Sequence, residues 1–134
     1  MSKRDFQEFI SEITEIFTSF KDSDIPIDIF DIETVLSYKG VVYRGKAISS
    51  SIDVISMAIK DAFDRAKSIK QPLHQIKSIL IHFTIPNSYT DTKLLSMIEP
   101  FECEISYETP LIFGVSKDDE LSKESVGVMV LFVV

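Results

Sequence analysis

From Asp5 to Phe20 the apolar residues Phe6, Phe9, Ile10, Ile13, Ile16, Phe17 and Phe20 recur at helical spacing, while Glu8, Glu12 and Glu15 fall elsewhere. An amphipathic helix is predicted there, with Ser2 as its N-cap. Four phenylalanines in the first twenty residues need a large apolar surface to receive them, either on the same domain or on a partner. A polar connection, Lys21 to Ile27, leads to a second helical pattern near residues 29 to 39. There Asp28 reads as an N-cap, Asp31 and Glu33 stand in the first turn where the helix dipole favours negative charge, and Gly40 terminates the run.

Val41 to Ile48 reads as a strand. Ser50 to Lys67 returns to the helical period through Ile52, Ile55, Ala58, Ile59, Ala62, Phe63 and Ala66, and Pro72 marks the next loop. Between Ser78 and Ile85, Ile79, Ile81, Phe83 and Ile85 alternate with Leu80, His82 and Thr84, as a mostly buried strand would. A short helix is expected from about Thr90 to Glu99, with Leu94, Leu95 and Ile98 inward and Pro100 as its stop. Cys103, Ile105 and Tyr107 then alternate with Glu102, Glu104 and Glu108, which predicts an edge strand guarded by acids. Leu111 to Val115 and Val126 to Val134 are apolar on both faces and are expected in the sheet centre, joined by the charged turn Lys117 to Ser125. The expected fold class is α/β (α+β): a mixed β-sheet packed by helices and preceded by an amphipathic helix.

Composition narrows the partners. At 134 residues and 45% hydrophobic, the chain has the size of one globular domain. A formal net charge of -7, with no Lys/Arg cluster to offset it, argues against nucleic acid and against direct membrane binding. With no apolar stretch long enough for a signal peptide or a spanning helix, the expected compartment is the cytoplasm. Cys103, the single cysteine, is read as a half-buried thiol, and His74 and His82 lie too far apart for zinc spacing. No cofactor is expected. His82, inside an apolar strand, is read as a satisfied core histidine. Only Arg4, Arg44 and Arg65 are available to hold a dianionic small molecule, so a small-molecule enzyme ranks last.

One stretch carries a resemblance. Ile25-Pro-Ile-Asp-Ile-Phe-Asp-Ile-Glu-Thr-Val-Leu-Ser-Tyr-Lys-Gly40 is similar to the activating loop of the FtsZ/tubulin family, typically Ile-Asn-(Val/Leu)-Asp-Phe-Ala-Asp-Val-(Lys/Arg)-Thr-Val-Met-Ser followed by a glycine. Asp28, Asp31, the Thr34-Val35 pair, Ser37 and Gly40 fall in register. Pro26 stands where the family has its asparagine. Lys77-Ser-Ile-Leu-Ile-His-Phe-Thr84 resembles a family strand, and Leu111-Ile-Phe-Gly-Val115, Asp119-Glu-Leu121 and Val126-Gly-Val-Met-Val130 resemble its closing hairpin.

The resemblance implies a single FtsZ C-terminal-like domain over 1–134, of chorismate-mutase-like topology. Its parts would be a helix and connection over 1–24, an activating-loop-like segment over 25–40 and an α/β core over 41–134. The family's glycine-rich GTP signature has no counterpart among the four glycines, so the chain is not expected to be a GTPase alone. Asp28 and Asp31 would be in-trans activating acids, and Pro26, Asp28, Asp31 and Glu33 a partner-binding segment. The partner would be an FtsZ-type GTPase subunit, whose polymerisation or GTP turnover in bacterial cell division the domain would regulate, or the chain itself as a homo-oligomeric structural protein. Helix capping by Asp28 and Asp31 accounts for the same residues without any such role.

Overall fold

The structure, a computed structural model, describes residues 27–118, 120, 121 and 124–134, together with Arg4, Gln7, Glu8 and Ser11. Those four N-terminal residues are helical and exposed. The phenylalanine stripe expected over Asp5 to Phe20 lies outside the described residues, as do Pro26 and Asp119.

The remaining elements run α1 (Ile29–Leu36), β1 (Val42–Ser49), α2 (Val54–Arg65), a 3-10 turn (Leu73–Gln75), β2 (Ser78–Ile85), α3 (Asp91–Glu104), β3 (Leu111–Lys117) and β4 (Val126–Val133). The strands form a four-stranded sheet in the order β1-β4-β2-β3. β2 and β3 pair in parallel, with α3 as the crossover. β4 runs antiparallel to both its neighbours, wedged between β1 and β2, which α2 connects.

Period-two alternation sorts each strand's side chains between two cores. On one face Tyr43, Ile79, Ile81, Phe83, Ile85, Val128, Val130 and Phe132 pack under α2 and α3. On the other, Leu80, Met129, Leu131 and Val133 meet Ile27, Ile32 and Val35 of the α1 segment. Two contacts on the first face set how closely α2 lies. Gly45 of β1 sits directly beneath Ala58 and Ala62, and a Cβ built there would stand 2.2 Å from the Ala58 carbonyl oxygen and 2.5 Å from the Ala62 nitrogen. Beside it, the rings of Tyr43, Phe63 and Phe132 meet with centroids 4.7 to 5.4 Å apart.

The structure corrects several expectations. α1 ends at Leu36, three residues short of the predicted end, because Ser37 caps it and its hydroxyl turns back to the Thr34 carbonyl at 2.7 Å. Ile52 lies outside α2 and is exposed; the hydroxyls of Ser49 and Ser51 accept from the backbone of Ser51 and Asp53, holding a turn where the helix was expected to begin.

Pro100 lies inside α3 rather than ending it. A proline there removes its own donor and crowds the Ser96 carbonyl, but Phe101, buried with Leu94, Met97 and Ile98, continues the apolar stripe through the next turn. Leu95 points outward. Consequently the acid-guarded strand does not exist: Glu102, Cys103 and Glu104 are helical, Glu108 lies in the following turn, Tyr107 is 94% exposed and the Cys103 thiol is exposed rather than half-buried.

β3 and β4 do not form a hairpin. β2 lies between them, and only β4 is central. β3 is an edge strand although both its faces are apolar, because hydropathy reports what covers a strand's faces and not whether a neighbour pairs with it in the sheet plane.

Candidate interaction site

α1 is pinned to the sheet by one face. Ile27, Ile32 and Val35 are buried against β2 and β4, and the buried Ser78 hydroxyl donates to the Val35 carbonyl at 2.8 Å, satisfying one of the helix's last acceptors. Lys77 Nζ donates to the Lys39 carbonyl beyond the helix end. Gly40 adopts φ +154°, and the backbone then joins the sheet through reciprocal Val41–Val134 bonds of 2.9 and 3.0 Å.

The head of this helix is where the residues singled out above meet. Asp28 is the N-cap: its Oδ1 accepts from the Asp31 N–H at 3.0 Å while Asp31 Oδ2 accepts from the Asp28 N–H at 3.0 Å, a reciprocal capping box. Asp28 and Glu33 are exposed and Asp31 is half-exposed. One oxygen of each aspartate is engaged in the box, so the other can face an external group. Capping and an outward-facing role are therefore geometrically compatible. Among the described residues no three His, Cys, Asp or Glu side chains group to hold an ion.

Phe30, which sequence reading did not single out, is 70% exposed between the two aspartates. Its signal was available: two residues before Ile32 is roughly 200° around a helix, opposite the buried stripe. With Asp28, Asp31 and Glu33 it forms an aromatic and acidic surface at the mouth of α1.

The other candidates are internally satisfied. His82 is buried and its Nε2 lies 3.1 Å from the Ser116 hydroxyl, itself buried. Arg44, with a side chain only 3% exposed, pairs with Glu8 at 3.1 Å, which Arg4 also approaches at 3.6 Å. Arg65 pairs with Asp61 at 2.6 Å. Each guanidinium considered for a dianionic ligand thus already holds a carboxylate.

No family model and no curated protein matches this sequence. Solved structures do. An FtsZ dimer from M. jannaschii superposes with a TM-score of 0.64 at 18% identity, covering 100% of this chain and 40% of that one. The chain has the FtsZ/tubulin C-terminal-domain fold. CetZ from Methanosaeta thermophila (TM-score 0.60, 17% identity, 94% of this chain and 34% of that one) shares it, as does TubZ of Bacillus thuringiensis serovar israelensis in its GDP-form protofilaments (0.58, 16%, 94% and 35%). At these identities the likeness is one of fold. The chain spans about 40% of the length of the FtsZ chain it matches. Among the described residues no helix is long and apolar enough to cross a membrane.

The capping box makes a prediction that separates its two uses. Asp28→Ala is expected to destabilise the domain by about 1 kcal/mol, and Asp28→Asn, which keeps an acceptor at the N-cap, by much less. Urea denaturation of the two variants checks it. Equal losses in both would mean that the carboxylate's charge, not its capping oxygen, holds the helix.

Proposed function

We propose that this chain is an interaction module that docks on the nucleotide-bearing end of an FtsZ-type subunit and regulates its polymerisation or GTP turnover. The observation that carries this reading is the mouth of α1, where Asp28 and Asp31 are held at the surface by their mutual capping bonds with Phe30 and Glu33 beside them. In a cytoskeletal-GTPase-related fold, carboxylates so fixed suit the positioning of a water against a neighbour's phosphate, because phosphoryl transfer is governed by placement and charge. Phe30 supplies the apolar area that charged contacts alone lack.

Of the four glycines, Gly45, Gly114 and Gly127 lie within strands and Gly40 in the turn before β1, so none cradles an anion at a helix start. By occupying one side of a longitudinal contact through the mouth of α1, the module would cap a polymer rather than lengthen it.

The test is to mix the purified protein with FtsZ and GTP and measure sedimentable polymer and phosphate release. Less polymer at substoichiometric protein is expected. Asp28→Asn with Asp31→Asn should lower phosphate release more than binding, and Phe30→Ala should lower binding. No change in polymer or phosphate at excess protein overturns the reading.

A further inference from the structure

The sheet has two edges, and they are finished differently. At β1, the mutual Val41–Val134 bonds set the alternation, so Tyr43, Gly45 and Ala47 bond β4 while Val42, Arg44, Lys46 and Ile48 turn their backbone groups outward. That edge carries an exposed cation, Lys46. The Lys46 N–H donates to Asp61 Oδ2 at 2.9 Å, and Arg65 holds the same oxygen at 2.6 Å. These devices discourage another strand from pairing there.

β3 has none of them along its apolar run. Ile79 N–H donates to the Pro110 carbonyl and Asp118 N–H to the Ile85 carbonyl, so Ile112, Gly114 and Ser116 bond β2 while Leu111, Phe113, Val115 and Lys117 turn their backbone groups outward. Among the described residues nothing pairs with the outward amides of Leu111, Phe113 or Val115. The strand contains no proline and no charge before Lys117, and its apolar side chains are anchored in the core, so the edge is held in place and, among the described residues, unpaired.

The geometry points to β3 as a strand-addition site for an extended segment of a partner protein that is apolar at alternate positions and basic at its ends. Main-chain bonds to Leu111, Phe113 and Val115 would supply the pairing, and alternate side chains of the added strand would extend the apolar layer under α3. Charge selects the ends: Glu108 precedes the strand, Asp118 and Glu120 follow it, and none of the three is ion-paired among the described residues. Lys117 is the strand's single cation. A net charge of -7 opposes a second copy of this chain as the occupant and favours a basic one.

Amide exchange followed by NMR tests this on the full chain. The probe is the peptide acetyl-Lys-Lys-Val-Thr-Val-Thr-Val-Lys-Lys-amide, with a control in which every Lys is Glu. The basic peptide is expected to slow exchange at Leu111, Phe113 and Val115 by about tenfold while leaving Ile112 and Gly114, already bonded to β2, unchanged. The acidic control should do nothing. Val115→Pro, which deletes an outward donor and no bond to β2, should abolish the effect at Phe113 with an unaltered circular dichroism spectrum; should that variant fail to fold, the two peptides on the wild-type protein decide. Equal responses to both peptides, no response to either, or protection that grows with protein concentration alone, meaning a second copy on the edge, each overturns the proposal.

Discussion

Phe63→Ala is expected to destabilise the domain by about 4 kcal/mol, a large share of the stability of a single domain of this size. Phe63 is 1% exposed and sits between Tyr43 of the edge strand β1 and Phe132 of the central strand β4, its ring 4.7 Å and 5.4 Å from theirs. Truncation removes the transfer energy of the ring and leaves a hole that α2 cannot close, because Gly45 already lets the helix backbone rest against β1. The two flanking rings, stacked on each other at 5.4 Å, would also lose their edge-on partner. Urea or guanidinium unfolding measures the loss. A change under 1 kcal/mol would mean that the helix collapses into the gap and that the α2–sheet contact is softer than its packing indicates.

Gly45→Ala is the complementary experiment, adding one methyl where the other removes a ring. The expected cost is about 3 kcal/mol, at the upper end for overpacking, because the atoms a Cβ would strike are the Ala58 carbonyl and the Ala62 amide nitrogen rather than flexible side-chain ends. The helix must lift from the sheet or β1 must bend away from it. The same denaturation series reads the loss. A combined Gly45→Ala/Phe63→Ala variant should show strong non-additivity, since a lifted helix no longer needs Phe63 to fill the gap. Neither change touches the mouth of α1, so any loss of partner binding should track unfolding.

How far these features were legible depended on which physical signal each one leaves in the chain. β2 was legible because burial on both faces leaves a short run almost wholly apolar, and the α2 stripe from Ile55 to Phe63 because burial on one face writes a period of 3.6 into the residues themselves. The capping role of Asp28 was legible because a side-chain acceptor before an apolar run satisfies donors only a few residues away. Pro100 misled, since a local rule about helix stops was outweighed by the burial of Phe101 against residues distant in sequence. The exposed Cys103 followed from the same error: once α3 continued past Pro100, the alternation of Cys103, Ile105 and Tyr107 lost its meaning.

The site divides along the same line. Asp28, Asp31 and Glu33 could be named from local order, and the apposition of the two aspartates in one box follows from their three-residue spacing. Phe30 could be placed opposite Ile32 around the helix, but that the Ile32 side is the buried one was decided by the docking of Ile27, Ile32 and Val35 on Leu80, Leu131 and Val133, in strands tens of residues away.

From its order of residues alone, the chain determined the four strands, the apolar stripe of α2 from Ile55 to Phe63, and that two acids stand at the start of a short helix. These are consequences of spacing and capping, which act within a turn or two. Tertiary structure decided that β4 rather than β3 takes the centre, that β3 has an open edge among the described residues, and that Gly45 carries a helix on its back. Strand order and edge exposure are matters of pairing in the sheet plane between segments far apart along the chain. Apolar residues on a strand register only what lies above and below it.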